Sequence, residues 1–404
     1  MINAGIYLAL MIFFFLICIN KKYNPLALCL VGYYLVIAIV SYYAGSKNII
    51  EASKTSFFPY VLLLLAYILF FFPFLKKKDV ISLEKLDYSM INKLKPFGIV
   101  YIACSLICIY CYISPLRILI QSGDWAMTRY MHYIEGNATV YTNIIERIGI
   151  AFTLYFYLLA VLVGILMIKE GTNTKFAYLL VGAAVISNFM QALYAVGRGT
   201  IFNDLMIVVI LYLFIMKDID KKQVYIGFGL ILIALIIIAP YMQAITESRF
   251  SEDAGNELLR YFGEAPVVFN VNVATIDKSA WGKLLFSRVL NTGFSQIDIG
   301  GTWGARFYTF VGFIFIDWGV LGVILFGVFW GLYFFERRVH RSVYKISDLF
   351  LIFYYYRFLL KGGLVIGSAF LQDAIFAGAT YLFIKYFIER TNFPSIMFGD
   401  KRIL

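Results

Sequence analysis

Long apolar runs set the pattern of this chain. They occupy about 2–19, 24–45, 56–75, 96–113, 148–168, 176–196, 199–216 and 224–242. Another covers 305–335, and the stretch 348–390 holds two more. A helix needs roughly 20 apolar residues to cross a bilayer, so the pattern predicts about eleven spans. The expected fold is an all-α polytopic membrane protein. The first run has no basic stretch before it and no small-x-small cleavage pattern after it, so it reads as a span and not as a cleaved leader. The run 305–335 is too long for one straight span, and Asp317-Trp318-Gly319 divides it. We read 305–316 as an interfacial or re-entrant lead-in and 318–335 as the ninth span.

Two regions between the runs do not span. One is 114–147, and the other is 243–306, a loop long enough to be functional. The chain thus divides into 1–242 (spans one to eight, with the outer loop 114–147), 243–306 (the large outer loop) and 307–404 (spans nine to eleven and the tail). No inverted repeat relates the halves, which weighs against a transporter.

Composition agrees with this division. The chain is 62% hydrophobic and 15% charged, which excludes an ordinary soluble domain. The net charge of +11 would fit an anionic partner, but its distribution is topological. With the N-terminus outside, the inner segments 20–23, 76–95, 169–175, 217–223, 336–347 and the C-terminal end carry 21 Lys and Arg, against 12 on the outer segments. This is the positive-inside bias, and it predicts an outer N-terminus and a cytoplasmic C-terminus. The five cysteines lie in apolar runs with no metal-binding spacing, and Cys104, Cys108 and Cys111 share one helix face. They read as packing residues, and no metal or cofactor is implied.

The cations facing outward are of a different kind. Inner segments are Lys-rich, whereas the outer ones hold eight Arg and four Lys. Arginine offers a planar fork for phosphate and carboxylate, so the outer face is expected to bind an anion. Arg198 lies in Ala195-Val196-Gly197-Arg198-Gly199, a tight hairpin tip before the seventh span. The flanking glycines allow close approach of the backbone, and the helix start adds free N–H groups. Thr200 and Asn203 are placed to cap that helix, and Asp204, one turn in, offers pairing with Arg198 as the alternative to an anion site. In the large loop, Arg249, Glu252, Asn256 and Arg260 form one stripe if residues 247–263 are helical. Asp253, Glu257 and Glu264 flank that stripe, setting an anion clamp beside carboxylates. Arg288 and Arg306 follow. Asp317 near the outer interface is a candidate by default, as are Arg357 and Lys361 on one face of the tenth helix. His132 lies in an outer loop and His340 in an inner one.

These features resemble a known family. The outer loop between the fourth and fifth spans, the Gly-Arg-Gly tip, the large late loop and the segment Gly301-Thr-Trp-Gly-Ala-Arg-Phe-Tyr-Thr-Phe-Val-Gly-Phe-Ile-Phe-Ile-Asp-Trp-Gly-Val-Leu-Gly322 are similar to those of the bacterial oligosaccharide repeat-unit polymerases of O-antigen and capsule assembly, the Wzy type. The resemblance rests on about 190–205 and 258–331. It implies a GT-C-like architecture in the bacterial cytoplasmic membrane. The implied activity is glycosyl transfer between repeat units carried on undecaprenyl diphosphate, with a chain-length regulator and a flippase as partners and no nucleic acid. For that chemistry the residues themselves offer Arg198, Arg260 and Arg306 as the diphosphate clamp, with Arg249 and Arg288 next, Arg357 as a further substrate-binding candidate, and Glu252, Glu264 and Asp317 competing as base. Tyr261 and Trp303 are the residues expected to stack on sugars. An O-antigen ligase and a lipid-linked oligosaccharide flippase or exporter are the alternatives.

Overall fold

A computed structural model describes residues 2–20, 25–47, 55–75, 82–83, 88–131, 140–171, 173–216, 240, 263–276, 278–286, 309–335, 343–362, 370–389, 397–398 and 401–402. Helices make up nearly all of it: α1 (Ile2–Asn20), α2 (Pro25–Ser46), α3 (Phe57–Leu75), α4 (Tyr88–Ser122), α5 (Trp125–Tyr130), α6 (Ile144–Lys169), α7 (Thr174–Tyr194) and α8 (Arg198–Met216). Four more follow. They are α9 (Ala265–Val268, continued by a π-helical turn Phe269–Val273), α10 (Phe310–Gly327, continued by π-helix Val328–Phe335), α11 (Ile346–Gly362) and α12 (Phe370–Phe383, continued by π-helix Ile384–Ile388).

Ten of the eleven predicted runs coincide with helices, while 224–242 lies outside the described residues except for Pro240. Among the described residues, four stretches are long and apolar enough to cross a membrane by themselves: Lys93–Ser122, Ile144–Lys169, Thr174–Tyr194 and Phe310–Phe334. Ala4–Leu16, Tyr34–Ser46 and Phe57–Pro73 are shorter apolar helices. At 1.5 Å per residue the 35 residues of α4 extend about 52 Å, well beyond a hydrocarbon core of roughly 30 Å. The lead-in expected at 305–316 is not a separate element where it is described. The helix begins at Phe310 and continues through 317–319, with a kink at Gly319 (φ 63°, ψ −160°).

Aromatic side chains and close backbone approaches hold the helices together. Phe14 meets Phe71 edge-on at 5.4 Å between ring centroids, and Tyr34 meets Phe71 at 5.8 Å, joining α1, α2 and α3. Between α6 and α7, a Cβ at Gly164 would run into the Val181 side chain. A Cβ at Gly331 would strike the Leu69 carbonyl, so α3 and the end of α10 touch backbone to backbone. Small residues at such crossings let dispersion contacts replace the hydrophobic force that lipid does not supply. Asn143 caps α6 by accepting from the Glu146 amide at 2.9 Å, and Glu146 reaches back to the Thr142 amide at 2.6 Å.

Segments that the charge pattern assigns to one side meet one another. At one end, Ser82–Leu83 pairs in parallel with Val343–Tyr344, and the Ser347 amide and hydroxyl donate to the Glu389 carboxylate at 2.7 and 2.8 Å. Burial lifts the Glu389 carboxyl above its ordinary value, and the Ser347 hydrogen bonds oppose that lift. At the other end, the 263–286 region docks on three helices. Ser41 donates to the Gly263 carbonyl, Asn270 exchanges hydrogen bonds of 2.9 and 2.6 Å with the Ser56 backbone just before α3, and residues 280–285 bind α10 at Ile316 and Asp317, beside its kink. A short two-residue ladder, Met397–Phe398 with Lys401–Arg402, lies near the C-terminus.

Candidate functional site

Two polar centres lie within the apolar helices. The first surrounds Asp204, in the second turn of α8 and 4% exposed. Its Oδ1 accepts from Arg357 of α11 through Nε at 2.8 Å and a terminal nitrogen at 2.6 Å. Its Oδ2 accepts from the Asn188 amide of α7 at 2.8 Å, and Tyr157 of α6 donates to its backbone carbonyl at 3.2 Å. Asp373 of α12 adds a second negative charge to the field at Arg357. Asp204 pairs with Arg357, 153 positions away, while the side chain of Arg198, its other candidate partner, lies outside the described residues. Being near in sequence did not decide the partner; α8 and α11 pack side by side and face their charges toward each other. Arg357, expected to bind substrate, has its charge balanced by Asp204.

A polar seam continues from this centre between α4, α6 and α7. Gln191 donates to Thr153 Oγ1 at 2.7 Å and to Cys108 Sγ at 3.2 Å. Tyr101 donates to the Thr153 carbonyl at 3.0 Å, and Ser187 reaches Ser105 at 3.5 Å. In hydrocarbon each of these groups needs a protein partner, and the seam supplies one to each. The expected packing role of Cys108 holds, with an amide contact added. Asn188, Gln191, Thr153 and Tyr157 are missing from the expected site. The signal that would have found them is Ser187-Asn188-x-x-Gln191, a polar face repeating at helical spacing inside the apolar run 176–196.

The turn before α8 is tight, as its sequence predicts, but it is strained at a different residue. The Gly197 amide donates to the Ala192 carbonyl at 2.8 Å and the Val196 amide to Leu193 at 2.9 Å. This is the double bond pattern of a left-handed helix stop. The left-handed residue is Val196 (φ 53°), a β-branched residue where glycine is usual. Val196 is fully buried in a cluster with Cys108, Tyr112 and Ile201, and that burial offsets the strain. The Gly197 carbonyl accepts from the Thr200 and Ile201 amides, so the backbone itself closes the start of α8. Arg198 begins α8 at the rim of the polar seam; its side chain, and that of Asn203, lie outside the described residues.

The second centre is Asp317, fully buried at the kink of α10. Its Oδ1 accepts from the Leu284 amide at 3.0 Å and its Oδ2 from the Leu285 amide at 2.9 Å. Gly319 interrupts the helix, so the carbonyls of Ile316 and Asp317 are open to other donors. They accept from the Ala280 and Trp281 amides at 2.8 and 2.9 Å. Four hydrogen bonds thus stitch the segment 280–285 to the kink. Both carboxylate oxygens of Asp317 are engaged by backbone amides, which makes it an anchor for that segment.

Of the remaining expected residues, Glu264 stands at the start of α9, half-buried, where its carbonyl accepts from the Val267 and Val268 amides. Arg249, Glu252, Arg260, Tyr261, Arg288, Trp303, Arg306, His132 and His340, with the side chain of Lys361, lie outside the described residues. Trp281 was not among the expected residues. It is 80% exposed with φ 52°, beside Gly282 with φ 83°.

Neither a family model, nor a curated protein, nor a solved structure matches this chain.

Proposed function

We propose that this chain is a membrane glycosyltransferase that polymerises oligosaccharide repeat units carried on undecaprenyl diphosphate, at the outer face of a bacterial cytoplasmic membrane and across about eleven spans. The observation that carries the reading is the Asp317 junction. The resemblance to repeat-unit polymerases rests on about 190–205 and 258–331, and within the second stretch residues 280–285, from the loop that the charge pattern assigns to the outside, are hydrogen-bonded to 316–317 of α10.

In this reading a hydroxyl at the non-reducing end of the acceptor unit attacks the anomeric carbon of the growing chain. The bond from that carbon to the diphosphate oxygen breaks as the new glycosidic bond forms. The hydroxyl proton passes to a carboxylate, and the lipid diphosphate leaves with its negative charge. Arg198, Arg260 and Arg306 stabilise the departing diphosphate without a metal, with Arg249 and Arg288 beside them. Glu252 and Glu264 are the bases. Asp317 acts as a positioning residue because its oxygens hold the 284–285 amides, and Arg357 acts through Asp204 to fix α8 and hence Arg198. Tyr261 and Trp303 stack on sugar rings.

The test is polymer length in a strain deleted for this chain. A polymerase deletion leaves single repeat units on the surface lipid, and the wild-type chain restores the full ladder. Loss of all surface glycan would instead indicate a ligase, and accumulation of lipid-linked units on the inner side a flippase. Arg198→Ala at normal abundance is expected to collapse the ladder; full-length polymer from that variant would remove the diphosphate clamp from the scheme.

A further inference from the structure

Helix α10 doubles back at its kink. The Phe70 ring of α3 lies against the Phe310 ring, with centroids 4.8 Å apart, and its edge is 3.3 Å from where a Cβ on Gly327 would stand. At 1.5 Å per residue a straight helix would hold Phe310 and Gly327 roughly 25 Å apart, and no single ring bridges that gap. The reversal is made at Gly319, where the angles leave the helical range. Across it, the Ile314 side chain comes within 3.8 Å of the Cβ position of Gly322. The limb 310–318 is buried or half-buried throughout, whereas the limb 320–335 turns Leu321, Leu325, Phe329 and Tyr333 outward.

The tip of this hairpin stands level with the start of α3. Gly331 meets Leu69, and Gly319 and Phe57 each lie twelve residues before that contact. The tip's neighbours agree. Phe315 meets Phe269 edge-on at 5.6 Å, and the next residue, Asn270, is bonded to Ser56, which precedes Phe57. The turn 280–286 rests on the tip through Ile316 and Asp317, so it lies where the apolar helices end. Aromatic rings are open to the surroundings at this end: Phe57 and Phe58 are 81% and 60% exposed. A cation accompanies another, since Lys47, just after α2, stands 5.9 Å over the Tyr43 ring. Exposed aromatics and snorkelling cations at helix ends mark the interfacial layer of a bilayer.

Along the turn, Ala280, Gly282 and Leu284 face the protein, while Trp281, Lys283 and Phe286 face away from it. Trp281 holds φ 52°, an angle that glycine adopts without strain. Strain of this kind persists where the surrounding structure enforces it, and here the four hydrogen bonds to the tip do so. They direct an indole and an ammonium outward at the level of the interface. An indole has an apolar body and one N–H to donate, which suits the boundary between acyl chains and headgroups. We propose that residues 280–286 form a lipid-surface anchor, with the Trp281 ring at that boundary and Lys283 against the phosphates of anionic phospholipid. The anchor stands whether or not the chain is a polymerase. It supports the hairpin tip from the bilayer side, as Asp317 does from the protein side.

The test uses the full chain carrying fluorotryptophan, in nanodiscs of phosphatidylethanolamine and phosphatidylglycerol. Trp281→Phe identifies the Trp281 fluorine resonance by its loss. A gadolinium chelate borne on lipid headgroups is expected to broaden that resonance more than a water-soluble gadolinium chelate does. Broadening by the soluble chelate that matches or exceeds the lipid-borne one overturns the proposal. Hydrogen exchange of the Leu284 and Leu285 amides then reads the grip on the tip. Replacing phosphatidylglycerol by phosphatidylcholine is expected to speed it about fivefold, the worth of one lysine at an anionic surface, and Lys283→Gln is expected to give the fast rate in both lipids. Exchange that ignores the lipid charge overturns the role of Lys283. Trp281→Gly relieves the backbone strain, so the chain is expected to fold. A turn with a solely structural role would tighten in that variant, whereas a lipid anchor loosens. Faster exchange in nanodiscs is the expected result, and unchanged or slower exchange overturns the proposal.

Discussion

Asp204 and Asp317 are both aspartates buried in apolar helices, yet they are satisfied by different means. Asp204 is held by a guanidinium and a side-chain amide from two other helices. Asp317 is held by two backbone amides of a short turn. A charge pair fixes the distance between whole helices, and removing one partner strands the other charge in low dielectric. Amide donors carry only partial charge, so removing their acceptor costs the desolvation of two neutral groups. The first arrangement therefore determines whether the bundle assembles. The second determines where one outer turn sits.

This contrast is sharpest in the variants. Asp204→Ala leaves Arg357 unpaired and is expected to cost about 3–5 kcal/mol, seen as lost accumulation of folded protein and a lower melting temperature in detergent. The double variant Asp204→Ala with Arg357→Met is expected to recover most of that loss; no recovery would mean that the pair's charge is not what binds α8 to α11. Asp317→Ala orphans two neutral amides and is expected to cost about 2 kcal/mol in all, about 1 kcal/mol for each. It leaves the bundle folded and raises hydrogen exchange of the Leu284 and Leu285 amides, and exchange rising equally across α8 would erase the distinction between the two centres. Gln191→Leu removes two interhelical hydrogen bonds of the seam, to Thr153 and Cys108, for which about 1 kcal/mol is expected at about 0.6 kcal/mol each, read as a small fall in melting temperature. Glu389→Gln is expected to stay within about 0.5 kcal/mol in the same measurement, because it relieves a buried charge while keeping an acceptor for Ser347.

The apolar helices were legible because a membrane imposes a length on apolar runs, and no other pattern in this chain extends over about 20 consecutive positions. The break at Asp317-Trp318-Gly319 was also legible, since an acid and a glycine together interrupt such a run. The helix nonetheless begins at Phe310 and bends there, because the carbonyls freed by the kink find donors in 280–281 and the lead-in needs no separate element. The partner of Asp204 was not legible. Spacing rules relate residues a turn or two apart, and Arg357 approaches only through helix packing. The seam on α7 escaped notice because its polar residues are too few to alter the hydropathy of the run. Trp281 escaped because its importance lies in a backbone angle, which composition does not record.

The order of synthesis separates the two aspartates once more. The turn that receives Asp317 is made 33 positions earlier, so its amides are already available when α10 is synthesised. Asp204 has Asn188 ready, 16 positions upstream, but Arg357 follows 153 positions later. At about 5–20 residues per second the ribosome needs roughly 8–30 s to deliver it. For that interval α8 is a nascent helix carrying an acid without its cation, so its insertion depends on α7 being present as a chaperone within the same chain.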